Sequence, residues 1–117
     1  MGFEHIELIR SGPVARVAMN RPDVHNAFNE QFIGELNRAF EELDADTGCR
    51  VIVLEGRGRS FCAGADLAWM RSMAEYSQAD NVRDARELAR LFSRIDTCRV
   101  PVIGRIQGAA IGGGAGL

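Results

Sequence analysis

The sequence predicts an α/β fold, and three observations predict it. Apolar, β-branched runs recur along the chain (VARVAM, VIVLE, PVIGRI), stretches of helical periodicity separate them, and the connections are short and marked by Gly, Pro, Ser and Asp. The order that results is two strands, a helix, a strand, two helices, a further strand and a glycine-rich turn.

Each element has its own warrant. FEHIELIR (3–10) and VARVAMN (14–20) read as paired strands around the turn signal Ser11-Gly12-Pro13, with Ile6 and Leu8, and Val17 and Met19, alternating with other residues. RPDVHN (21–26) is a loop, since Pro22 disfavours helix before it. Phe32, Leu36, Phe40 and Leu43 recur at helical spacing across 29–46, with Gly48 near the stop. VIVLE (51–55) is continuously apolar until its glutamate, the pattern of a strand covered on both faces. A short helix is expected at 67–75 and a longer one at 79–96, the latter with Ala85, Leu88, Leu91, Phe92 and Ile95 on one side. PVIGRIQG (101–108) is the last strand, and AAIGGGAGL opens another helix. Because the sequence stops at Leu117, where that helix should begin, residues 1–117 are expected to be the N-terminal part of one larger domain.

Composition narrows the function. The net charge of -2 gives no basic excess for nucleic acid, so no nucleic-acid partner is expected. All 14 basic residues other than histidine are arginine, which removes the P-loop lysine and any lysine Schiff base from this stretch. Cys49, Cys62 and Cys98 form no CxxC pair and have no histidine at ligand spacing, so neither a metal site nor a disulfide framework is expected, and a cytoplasmic setting fits. No apolar run reaches membrane-spanning length, and the N-terminus lacks the apolar core of a signal peptide.

One device occurs twice. VIVLEG runs into SFCAGAD, and PVIGRIQG runs into AAIGGGAG. In both, a buried-type strand ends in small residues before a helix, whose first N–H groups have no intrahelical partner. Small residues let a ligand lie against the main chain. Two such turns side by side offer two N–H donors to one oxygen, the arrangement of an oxyanion hole, where one donor contributes about 2.7–4 kcal/mol of transition-state stabilisation.

SFCAGADLAWM (60–70), PVIGRIQGAAIGGGAGL (101–117) and MNRPDVHNAFN (19–29) occur in an order and spacing that resembles the enoyl-CoA hydratase/isomerase, or crotonase, family over the whole chain. The resemblance implies a spiral of ββα units and an acyl-CoA thioester partner, with no bound cofactor because CoA is carried by the substrate. It implies that the N–H groups of Ala65 and Gly113 hold the thioester oxygen as it becomes an enolate. Ala63, Asp66, Leu67, Ala68 and His25 fall at substrate-binding positions, and a homotrimer or homohexamer is implied. The AGADLAWM wording is most similar to the methylglutaconyl-CoA hydratases of leucine and terpenoid breakdown.

Several residues carry a plainer reading beside the functional one. Asp66, at a helix start, is foremost a cap. Trp69 and Met70 either wall the acyl pocket or pack the short helix. Cys62 is packing, and Arg83, Arg86, Arg90 and Arg94 form a solvated helix face. GRGRSF (56–61) has Phe61 where a dinucleotide fingerprint needs its third glycine. Family hydratases place a first glutamate two residues after the glycine triplet, and here that position is Gly116; the second would lie past Leu117. Thioester binding without hydration by these 117 residues is therefore expected. The alternatives are an isomerase of the same family, a nucleotide-dependent oxidoreductase using GAAIGGG as its phosphate loop, and a non-catalytic acyl-CoA-binding protein.

Overall fold

A computed structural model describes residues 2–117. Its elements follow the predicted order: β1 (Ile6–Ser11), β2 (Val14–Met19), α1 (Glu30–Ala45), β3 (Val51–Gly56), α2 (Leu67–Met73), α3 (Gln78–Asp96), β4 (Val102–Arg105) and α4 (Gly113–Gly116), with a 3-10 turn at Pro22–Val24. The strands form one sheet in the order β1-β2-β3-β4. β1 and β2 are an antiparallel hairpin, whereas β3 joins β2, and β4 joins β3, in parallel. Each parallel step needs a crossover. α1 supplies the first, and α2 with α3 the second.

Ala15, Val17 and Met19 of β2 and Ile52 and Leu54 of β3 point to one face, where α1 buries Phe32, Ile33, Leu36, Phe40 and Leu43 against them. Each such side chain removed from water contributes about 1.5–3 kcal/mol. Asn29 caps α1 by accepting the Phe32 N–H at 2.8 Å. Its far end is anchored by Asp46, which pairs with Arg10 and accepts the Gly48 N–H. Arg99 then donates to the carbonyls of Asp44, Asp46 and Cys49, tying the approach to β4 against the end of α1.

Three expectations are corrected in detail. VIVLE is buried on one face only: Val51 and Val53 are half-buried, and Glu55 takes a bidentate ion pair from Arg16 at 2.8 and 3.0 Å on the outer face of the sheet. β4 is four residues long rather than eight, because Gln107 turns its side chain to the Gly56 and Gly58 carbonyls. On α3 the inward stripe begins at Asp84 and continues through Leu88, Leu91 and Ile95, leaving Ala85 exposed. Arg83, Arg86 and Arg90 of α3 form a solvated face, with Arg83 and Arg90 paired to Asp80 and Glu87 one helical turn away, whereas Arg94 is half-buried and pairs with Glu41 of α1 at 3.6 Å. Among the described residues, no helix is long and apolar enough to cross a membrane, and no group of three His, Cys, Asp or Glu residues is placed to hold a metal ion.

Candidate functional site

The first turn leaves β3 at Gly56 and is held from below by Asn26. This residue is wholly buried in the left-handed conformation (φ 56°), which a short polar side chain tolerates. Its side-chain NH2 faces the carbonyls of Arg57, Ser60 and Phe61 at 2.9, 3.0 and 3.1 Å, and its Oδ1 accepts the Arg21 N–H at 2.7 Å. The chain then runs beside Phe28 on one side and Ala110 on the other through the parallel bridges Phe28–Ala65 and Cys62–Ala110. A second, very short ladder therefore crosses from the first turn to the glycine-rich one. Phe28 donates to the Gly64 carbonyl and Asp66 donates to the Phe28 carbonyl, both at 2.7 Å. These bonds lie on either side of Ala65 and leave its own N–H out of the ladder.

Gly64 explains the run of small residues. Its φ of +88° is a left-handed value, and a Cβ there would sit 2.8 Å from the Ile111 carbonyl oxygen and 3.6 Å from the Gly113 nitrogen. The two turns are thus in main-chain contact. In the second turn, Phe61 and Cys62 donate to Ala109, and Ile111 donates back to Cys62 at 3.0 Å. Gly112 leads into α4 with no side-chain cap, while Gly114 and Ala115 donate to Ile111 and Gly112. Among the described residues, neither the Ala65 N–H nor the Gly113 N–H meets a protein acceptor. Two free donors at the starts of two helical segments favour negative charge nearby.

A cleft of about 380 Å3 opens over the first turn, lined by Val24, Ala27, Ala63, Ala65, Asp66 and Leu67. Leu67 is 71% exposed at its edge. Gly113 backs onto the Phe28 ring, and a Cβ at Gly116 would lie 3.3 Å from Phe92. His25 turns away from the cleft: its Nδ1 lies 3.0 Å from Ser60 Oγ, while its carbonyl accepts the Ala63 N–H. Ala68 borders a neighbouring depression with Arg21 and Asp66. Trp69 is buried in the core and borders a separate cavity with Ile33 and Asp84, which is the helix-packing role, and Met70 is half exposed. Cys62 is buried, its thiol donating to the Asn26 carbonyl; burial pushes its pKa up against the opposing Gly64 N–H.

Asp66 is the one carboxylate lining the cleft, and both oxygens are engaged. Oδ1 accepts the N–H groups of Ala68 and Trp69 at 2.7 and 3.2 Å, and Oδ2 pairs with Arg21 at 3.2 Å. Burial works to raise its pKa, but the Trp69 and Ala68 amides and the Arg21 guanidinium outweigh it and hold the carboxyl below the ordinary range. Arg21 and Asn26 are the functional-region residues that reading the sequence missed. A small polar residue placed before Ala27-Phe28 in a loop is the local signal that could have marked Asn26 as left-handed.

The profile described as enoyl-CoA hydratase/isomerase matches residues 10–117. A Thermus thermophilus protein provisionally named enoyl-CoA hydratase is 39% identical over 109 residues, covering 93% of this chain and 43% of the relative. The mitochondrial Delta(3,5)-Delta(2,4)-dienoyl-CoA isomerase of Rattus norvegicus is 39% identical over 112 residues, covering 89% and 34%. The crystal structure of an enoyl-CoA hydratase from Shewanella pealeana superposes with a TM-score of 0.93 at 39% identity, covering 96% of this chain and 42% of that one. The chain therefore spans well under half the length of these relatives.

Proposed function

This chain belongs to the enoyl-CoA hydratase/isomerase family, and from that premise we propose that it carries the oxyanion half of a hydratase site for α,β-unsaturated acyl-CoA thioesters. The Ala65 and Gly113 N–H groups hold the thioester oxygen while negative charge collects on it. The observation that carries the reading is the pair of unpartnered donors on two turns in main-chain contact. Fixed dipoles stabilise a charge that appears only in the transition state more than they stabilise the substrate. The pantetheine and acyl groups lie along the cleft beside Ala63, Asp66 and Leu67, with Ala68 at its margin and His25, turned away, outside it. CoA belongs to the substrate, and no further cofactor takes part.

The acid or base is a separate matter. Asp66 is occupied, and position 116 is a glycine against Phe92. Thioester binding without hydration is the outcome we predict for these 117 residues. An amide-resolved NMR titration with butyryl-CoA tests the reading: the Ala65 and Gly113 resonances move together on binding. Binding that leaves both unmoved would overturn it. Methylglutaconyl-CoA is the acyl-CoA we propose, on the AGADLAWM segment, and tighter binding of it than of crotonyl-CoA is the check. A trimer or hexamer is the assembly we propose, measured by light scattering. An isomerase is the second reading, favoured by Gly116 and by the names of the dienoyl-CoA isomerase relatives.

A further inference from the structure

Asp66 creates an electrostatic difficulty. A carboxylate sits on the residue next to the Ala65 donor, in a nearly buried position where its charge is poorly screened, and it opposes any negative charge gathering on an oxygen bound there. Arg21 answers it. The Arg21 side chain is itself only 14% exposed; its guanidinium pairs with Asp66 Oδ2 and donates its other arm to the Ala27 carbonyl. In the depression around the pair, Arg21 is the one cation, against Asp66 and Glu30. Main-chain bonds from Phe28 to Gly64 and from Asp66 to Phe28 join the same segment to both flanks of Ala65.

We propose that Arg21 is a positioning residue of the oxyanion site that neutralises Asp66, so that the Ala65 N–H presents uncancelled positive potential to a thioester enolate. This rests on the functional reading above. Asp66 keeps its capping geometry, which α2 requires, and Arg21 removes the charge that this geometry brings beside the donor. A clamp acting only by shape would need the ion pair intact. A neutralising residue needs only that the two positions sum to zero charge.

Acetoacetyl-CoA separates these. It loses an α-proton to solvent to give an enolate with its own ultraviolet absorbance, so the fraction ionised when bound reports stabilisation of the anion, while affinity for butyryl-CoA reports neutral thioester binding. Arg21→Met is expected to cut enolate stabilisation about tenfold, between what one unit charge a few ångströms away gives in water and at a partly buried site, with butyryl-CoA affinity changed less than threefold. Asp66→Asn keeps a capping oxygen but removes the opposing charge, and is expected to raise enolate stabilisation severalfold above the unmodified chain. The Arg21→Met/Asp66→Asn double variant is expected to return to within about threefold of the unmodified chain, because the two opposite charge effects cancel, whereas a lost structural contact would leave the double variant as impaired as Arg21→Met. Failure of the unmodified chain to ionise bound acetoacetyl-CoA overturns the functional reading and this inference with it. Ionisation by the unmodified chain that Arg21→Met leaves unchanged, or that Asp66→Asn weakens, overturns this inference alone. If Arg21→Met does not fold, the direction of the Asp66→Asn effect decides.

Discussion

The two strand-to-helix turns are alike in sequence and unlike in how they are held. The first, at 57–66, is fixed by side chains from outside it: Asn26 gathers three of its carbonyls, and Arg21 reaches its Asp66 cap. The second, at 108–116, has no side-chain cap at Gly112 and is held by main-chain bonds to Cys62 and by close packing on it. The second turn therefore takes its position from the first. If two donors must converge on one oxygen, anchoring one rigidly and docking the other against it needs fewer side chains than anchoring both.

Removing the anchor gives the largest expected effect. Asn26→Ala strands the carbonyls of Arg57 and Phe61 and the Arg21 N–H and leaves the Ser60 carbonyl only a 3.4 Å bond from Gln107, and buried groups left without partners cost about 1–3 kcal/mol each when they cannot reach water. Some will find solvent, so a loss of about 3–4 kcal/mol in urea unfolding is expected, with thioester binding lost as well. If the second turn were independently anchored, the Gly113 amide would keep its chemical shift in this variant. The comparison predicts that it moves.

Pushing the turns apart comes next. A Cβ at Gly114 would overlap the Cys62 carbonyl and lie 2.8 Å from the Cys62 Cβ. Gly114→Ala is expected to cost about 1–3 kcal/mol, as overpacking at a buried backbone contact does. Acyl-CoA affinity should fall while the Ala65 amide, tied to the Phe28 segment, stays near its original shift. An equal displacement of both amides would mean the turns are held as one unit.

How much of this the sequence disclosed follows the same division. Elements with a repeat were legible: α1 announced itself through Phe32, Leu36, Phe40 and Leu43, β2 and β3 through their apolar runs, and Asp66 through the preference for aspartate at a helix start. The paired small-residue turns were visible as composition. The short ladder joining Phe28, Cys62, Ala65 and Ala110 was not, because single bridges have no period for a pattern to show. Asn26 was also missed: a small polar residue in a loop hints at the left-handed conformation, but the carbonyls it binds lie 31 to 35 residues away. Asp84 escaped for a related reason: hydrophobic periodicity marks apolar stripes, and a carboxylate that continues one inward reads as an interruption.

The cap itself separates shape from charge at a smaller scale. Both Asp66→Ala and Asp66→Asn leave Arg21 without its carboxylate, but only Asp66→Ala also removes the acceptor for the Ala68 and Trp69 amides, so it is expected to be about 1 kcal/mol less stable than Asp66→Asn. Thermal unfolding of the two variants beside the unmodified chain measures the difference.

The smallest effect is the one with the most definite sign. Because the folded Asp66 carboxyl is held below the ordinary value of 3.8, the folded chain binds that proton less readily than the unfolded chain does. Its contribution is therefore fully present above that value and fades as the pH falls through the folded-state value, since the unfolded chain takes up the proton first and protonation then favours unfolding. Glu55, lowered by its hydrogen bonds with Arg16 on the far face of the sheet, and Asp46, lowered by its bond from Arg10, act in the same direction, so the unmodified chain loses stability on acidification from all three sites. Asp66→Asn deletes only the site beside the first turn. Melting temperatures taken from pH 5 down to pH 3 should then fall less steeply for Asp66→Asn than for the unmodified chain, while a residual slope from Glu55 and Asp46 persists. Parallel curves for the two proteins would mean that the Trp69 and Ala68 amides and Arg21 together do not hold the folded carboxylate in its charged form, and the anchoring of the first turn would rest on Asn26.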